Sequence, residues 1–324
     1  MKYIPEKMTY KEYEESYTVR HIADTVGFMY LFVLAIQLVW EFVILKWLLA
    51  AGISLTTIQK YLSDPAISLT VNVLITAIMF TVPFIALCGR ERQKPSTLIH
   101  YGSPKKGTFL PLVALGSGLC MVANAAASII TEILNLFGIE GKNTLENLPE
   151  GVFGMALTVI AVSLAPAVLE EFSCRGIVFG VARKLGEGFA IFVSAIFFSI
   201  MHMNANQIPF AFMAGIVLAF VYVKSESIWT AVAVHAINNL LSVILSIAMD
   251  GVSSKISQLI YLTVIAVAAA VSLAAFSFYT KNGGNFVLCA SNMELSSKKK
   301  FIWFIKSPTV IVSIVASLAI MELL

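Results

Sequence analysis

The chain has 324 residues, of which 58% are hydrophobic and only 13% charged, with mean hydropathy +0.86 and formal net charge +3. A charged share of about half that of an ordinary soluble domain excludes a water-soluble fold of this size. The basic residues sit between apolar runs, so they report membrane topology and exclude nucleic acid as a partner.

The first 24 residues are polar and mixed in charge, with no apolar core of a cleavable signal, and are expected to form a cytoplasmic N-terminal segment. A membrane-crossing helix needs roughly 20 apolar residues. Nine runs are candidate helices, near residues 26–50, 67–88, 109–137, 152–182, 189–203, 208–223, 228–249, 257–279 and 301–323. The fifth and sixth are short, and Lys306 and Pro308 interrupt the ninth. The expected fold is all-α: a polytopic transmembrane helical bundle of eight to nine spans over residues 25–324. No internal repeat or second domain is visible, and the stretch around Asn282 to Asn285, followed by Lys298 to Lys300, reads as the one clear loop insertion. The four cysteines, Cys88, Cys120, Cys174 and Cys289, form no CxxC pair and suggest neither a disulfide framework nor a zinc cage.

Alternate connections hold very different numbers of basic residues. One set carries 17 Lys and Arg, including those before the first helix, from Arg90 to Lys106 and from Lys281 to Lys300; the other carries only Lys60, Lys142 and Lys255. By the positive-inside rule the N-terminus is expected in the cytoplasm.

Ionisable groups at bilayer depth cost roughly 2.5 to 3.5 kcal/mol each on insertion scales, so each one needs a reason. Glu41 and Lys46 lie in the first run and Glu132 in the third. The densest group is Glu170, Glu171, Arg175, His202 and His235. Glu171 and Arg175 are four apart with Glu first, the favourable order for a helical ion pair. Glu170 lies about 100° round the helix without that partner, so its carboxyl is expected to have a raised pKa suited to a general base. A buried structural charge network explains the same three residues equally well.

Glu170 lies 16 residues before Gly186 and His202 lies 16 after it, so antiparallel helices meeting there bring both to one depth. Phe198 stands one turn before His202. His235 and Asn239, four apart, share a face and can present an imidazole and a carboxamide together, or act as interhelical polar glue. Asn238 is off that face. At ideal rise His235 comes out roughly 10 Å shallower than His202, unless its helix starts deeper or tilts.

Glu170-Glu171-x-x-x-Arg175, then Phe198-x-x-x-His202, then His235-x-x-x-Asn239 resembles the three ordered motifs of the CAAX prenyl endopeptidase and bacteriocin-processing (CPBP, or Abi) intramembrane proteases. The likeness covers about residues 152–245, the expected protease-like core. It implies that Glu170 and His202 activate water, that His235 and Asn239 stabilise the oxyanion, and that Glu171, Arg175 and Phe198 support them. Members are commonly named metalloproteases, and Glu170, His202 and His235 could bind zinc, although the same residues can act without metal. The implied partners are a peptide or protein substrate and the lipid bilayer, in a bacterial plasma membrane. Two other readings use the same cluster: a non-proteolytic immunity or scaffold protein, separable by whether a Glu170→Ala form still functions, and a proton-relaying transporter, against which no inverted repeat is visible.

Overall fold

The computed structural model describes residues 8–139, 141 and 148–323, and all regular structure among them is helical. Helix α1 (Tyr10–Ala50) opens on a capping box: the Thr9 hydroxyl accepts from Glu12 N–H at 3.0 Å and the Glu12 carboxylate accepts from Thr9 N–H at 3.3 Å. The helix therefore begins well before residue 26, and residues 10–24 of the expected N-terminal segment are its first turns. Lys2, Lys7 and Lys142 of the charge comparison lie outside the described residues. After the short α2 (Leu55–Leu62), α3 (Pro65–Glu91) is started by Asp64, whose side chain accepts from Ala66 N–H and Ile67 N–H, with Pro65 at the first helical position.

Beyond the single turn Pro95–Leu98, the remaining described helices are α4 (Phe109–Leu136), α5 (Gly151–Leu185), α6 (Glu187–Ile200), α7 (Ile208–Ser225), α8 (Ile228–Met249), α9 (Ser254–Lys281), α10 (Ser297–Ile305) and α11 (Pro308–Leu323). Among the described residues seven helices are long and apolar enough to cross a membrane, and α10 with α11, bent by 65° at their break, raises the number to eight if counted as one span. All nine apolar runs are thus helical. The fifth, however, is a helix of only 14 residues, about 21 Å at 1.5 Å per residue and short of the hydrocarbon thickness.

The short α6 lies at the centre of the bundle, with Ala190, Val193, Ser194, Ala195, Phe197 and Phe198 buried. It returns on α5 through Gly186, whose φ of 110° is open to glycine and strained for other residues. On its other side Gly215 of α7 lets the backbones close in, since a Cβ there would stand 2.9 Å from Ala195 Cα. Around this hairpin α4 packs against α7, α8 and α9, while α1 packs against α3 and α11. The outer faces stay apolar, with Leu74, Ile85, Leu110 and Leu273 exposed, as side chains facing lipid should be.

The stretch between α9 and α10 is a strap and not a free insertion. Cys289 N–H donates to Glu187 Oε2 at 2.8 Å, Glu294 and Leu295 N–H donate to the Glu15 carboxylate at 2.9 and 2.8 Å, and Lys300 Nζ donates to the Leu185 carbonyl at 3.1 Å.

Candidate active site

Helix α5 carries two segments of wider, π-type turns, Val159–Leu164 and Phe172–Val178, on either side of the paired glutamates. Pro166 explains the first. It has no N–H to give the carbonyl four residues back, and its ring presses against that group. That carbonyl belongs to Val162, and it accepts instead from Asn239 Nδ2 on α8 at 3.2 Å. One residue on, the Ser163 hydroxyl donates to the Ala236 carbonyl at 2.7 Å, so α5 and α8 are knitted together about two turns before Glu170.

Glu171 and Arg175 form the expected ion pair, Nη1 to Oε1 at 2.8 Å, with both side chains fully buried. Two charges taken out of lipid and water need further partners. Arg175 Nη2 donates to the Gly215 carbonyl at 3.1 Å, and the guanidinium lies 4.3 Å from the centre of the Phe198 ring. Glu170 points the other way, away from this pair, with its side chain 15% exposed to the interior cavities.

His202 lies just beyond the end of α6, not within it, in the turn that follows Ile200. Helix ends leave their last carbonyls without intrahelical donors, and His202 Nδ1–H satisfies one by donating to the Phe198 carbonyl at 2.8 Å. Its Nε2 is then the free nitrogen. Phe198 meets the rings of both histidines edge-on, with centroids 5.0 Å from His202 and 5.7 Å from His235. The expected supporting role of Phe198 thus has a geometry: one ring touches Arg175, His202 and His235.

The expected offset of His235 from His202 is not seen, since both rings meet Phe198. His235 Nδ1–H donates to Glu171 Oε1 at 2.8 Å and its Nε2 stands 3.8 Å from Glu170 Oε2. The reason is that α8 starts deep. Ser225, Ser227 and Ile228 are fully buried beneath residues 99–102, where Ile228 N–H donates to the His100 carbonyl at 2.9 Å and the Ser227 hydroxyl to the Gly102 carbonyl at 2.7 Å. Asn238, read as off the face, also reaches the site: it is 4% exposed, its amide lies 3.4 Å from Asn239 Oδ1, and its own Oδ1 has no hydrogen-bond partner.

Two cavities meet at this point. The larger, of about 570 Å³, is lined by Glu170, Phe198, His202, His235, Asn238 and Asn239 and extends along α4; the smaller, of about 340 Å³, shares Glu170, Phe198 and His202 and runs between α1 and α3. Glu170, His202, His235 and Asn239 are therefore brought together on one wall. Among the described residues, no three His, Cys, Asp or Glu side chains gather closely enough to hold one metal ion, so Glu170, His202 and His235 do not fit as a zinc ligand set in this arrangement. Pro166 and Ser163 went unnoticed in the sequence, and Asn238 was set aside there. Pro166 alone carried a local signal, a helix-breaking residue inside an otherwise helical run.

Residues 152–241 match the family model of type II CAAX prenyl endopeptidase Rce1-like proteins. The protein YdiL of Bacillus subtilis (strain 168), provisionally named a membrane peptidase, is 27% identical over 176 residues, which cover 54% of this chain and 67% of YdiL. No solved structure matches the chain significantly. Both matches support a membrane peptidase, and the family model covers the three motifs gathered around Glu170. Over residues 152–241 the chain is thus similar to the type II CAAX prenyl endopeptidase Rce1-like family, the resemblance that the three motifs carry.

Proposed function

We propose that the protein is a membrane-embedded endopeptidase in which Glu170 and His202 activate water while His235 and Asn239 stabilise the oxyanion. The observation that carries this reading is the 3.8 Å approach of His235 Nε2 to Glu170, a carboxylate left free because its neighbour Glu171 is occupied by Arg175 and by His235 Nδ1.

In the reaction, the oxygen of water bonds to the carbonyl carbon of the scissile peptide as its proton passes to the Glu170 carboxylate. The carbonyl electrons move onto oxygen as an alkoxide. Collapse of the alkoxide breaks the C–N bond, and the proton held by Glu170 goes to the leaving nitrogen, giving a new carboxyl and a new amine. A positioned base of this kind contributes about 10²- to 10⁴-fold. His202, anchored through Nδ1, offers Nε2 to orient the water. His235 turns Nε2 toward the alkoxide, and Asn239 has a second amide proton beyond the one given to Val162. Each oxyanion donor of this type is worth about 10²- to 10³-fold.

The substrate on this reading is a peptide segment at the membrane, and the setting is a bacterial plasma membrane with the N-terminus in the cytoplasm. Quantitative proteomics of membranes from cells making the wild type or the Glu170→Ala form tests it. Peptide termini that appear only with the wild type support an endopeptidase. Identical terminal peptides in the two membranes, at equal protein levels, would refute it.

A further inference from the structure

Glu41 and Glu132 were the other carboxylates out of place in apolar runs, and neither belongs to the motifs. Each lines one of the two cavities that meet at Glu170: Glu132 on α4 in the larger, Glu41 on α1 in the smaller. Glu41 is presented by the π-type turn Val39–Ile44, and Gln37 Nε2 lies 3.5 Å from its Oε1. Neither carboxylate forms an ion pair among the described residues. Among the described residues no Lys or Arg lines either cavity, and Arg175 is sealed behind Glu171. The described walls of the two cavities therefore carry three carboxylates, Glu170 shared by both, Glu132 in the larger and Glu41 in the smaller, and no Lys or Arg.

An independent feature points the same way. Asn238 Oδ1 is a buried acceptor without a donor on the wall of the larger cavity. A buried acceptor left unpaired is costly, and a ligand bringing N–H groups relieves that cost. A substrate that ends in a free carboxylate brings the opposite: like charge in a site of low dielectric, with no guanidinium or ammonium among the described lining residues to receive it.

We propose that this site selects peptides bearing a cationic side chain, Lys or Arg, next to the scissile bond, with Glu132 as the principal specificity residue and Glu41 its counterpart across Glu170, and that it takes internal segments without needing the free C-terminal carboxylate. The inference rests on the endopeptidase reading and names the chemistry of its substrate. It separates this chain's site from one built around the terminal carboxylate of a short C-terminal tail. Glu132 is exposed at the cavity wall and Glu41 is half-buried, so a cation reaches Glu132 with less loss of hydration.

The test uses full-length protein in lipid nanodiscs and a synthetic mixture of apolar peptides. The peptides carry Lys, Ala or Glu at each position around a randomised centre, and each is made with a free and with an amidated C-terminus. The expected result is cleavage of Lys peptides about tenfold or more faster than of Glu peptides, the factor of one well-placed charge pair, with amidation changing the rate less than about twofold. Glu132→Gln should shrink the Lys-to-Glu ratio and Glu132→Lys should invert it. Wild-type cleavage that Glu170→Ala abolishes, but with no charge preference or with dependence on the free carboxylate, overturns this inference and leaves the endopeptidase reading standing. Absence of any Glu170-dependent cleavage across the mixture overturns the endopeptidase reading and this inference with it. The wild-type ratio decides the matter even if a Glu132 variant fails to fold.

Discussion

His235 Nδ1 donates to Oε1 of Glu171 at 2.8 Å, and that same oxygen receives Arg175 Nη1 at 2.8 Å. An ionised carboxylate paired with arginine accepts and does not donate, so the proton on this side of the imidazole is fixed on Nδ1. The charge network and the motif histidine are thus one unit, which reconciles the structural and the catalytic readings of the Glu-Glu-Arg motif: Glu171 and Arg175 are structural, and their structure is what aims His235 at Glu170.

A double-mutant cycle follows from that unit. Glu171→Ala and Arg175→Ala each leave a fully buried charge without its partner, at a cost of about 3 to 5 kcal/mol. The double variant should cost clearly less than the sum. Thermal unfolding in detergent, followed by tryptophan fluorescence, reads all three; strict additivity would show that the two side chains do not act together.

Pro166 offers a more selective probe. Pro166→Ala restores an N–H that can bond to the Val162 carbonyl and so competes with Asn239 Nδ2 for it. The variant should be as stable as the wild type or more so, by up to about 3 kcal/mol, while peptide turnover falls at least tenfold as Asn239 loses its anchor. Unchanged turnover with raised stability would mean that the Val162 carbonyl does not position Asn239.

Phe198 touches Arg175, His202 and His235 with one ring. Phe198→Leu keeps an apolar side chain but loses the ring face and edges, so activity should drop by more than tenfold for a stability loss of about 1 to 2 kcal/mol. Parallel measurements of turnover and melting temperature separate the two effects. A loss of activity no larger than the stability change explains would reduce Phe198 to packing alone.

Orientation is open to a chemical test, because Cys289 is exposed in the strap while Cys88, Cys120 and Cys174 are buried. With the lysine-rich connections in the cytoplasm, a membrane-impermeant maleimide should label Cys289 only after the cells are opened. Labelling of Cys289 in intact cells would reverse the topology.

Much of this was legible in the residues. The nine apolar runs fall on helices, which satisfy their own backbones in lipid, and the spacing of Glu171 and Arg175 was enough to pair them and leave Glu170 free. The early start of α1 was also readable, in the Thr9-x-x-Glu12 capping box. Other features depend on tertiary packing. Counting at ideal rise placed His235 too shallow because nothing local says that the turn before Ile228 is buried under residues 99–102. The π-type turns of α5 further shift register along the helix that carries both glutamates. Likewise, α6 looked like a short span, whereas its neighbours on both sides make it the centre of the bundle.

The central claim is that Glu170 directs water onto a peptide bond. Cleavage of a susceptible peptide by nanodisc-embedded protein in heavy-oxygen water, read by mass spectrometry, tests it most directly. The account predicts one heavy oxygen in each new C-terminal carboxyl with the wild type and at least a thousandfold slower product formation with folded Glu170→Gln, the combined loss of base and proton shuttle, at about 10³-fold or more. Heavy-oxygen product formed at the wild-type rate by Glu170→Gln would contradict it.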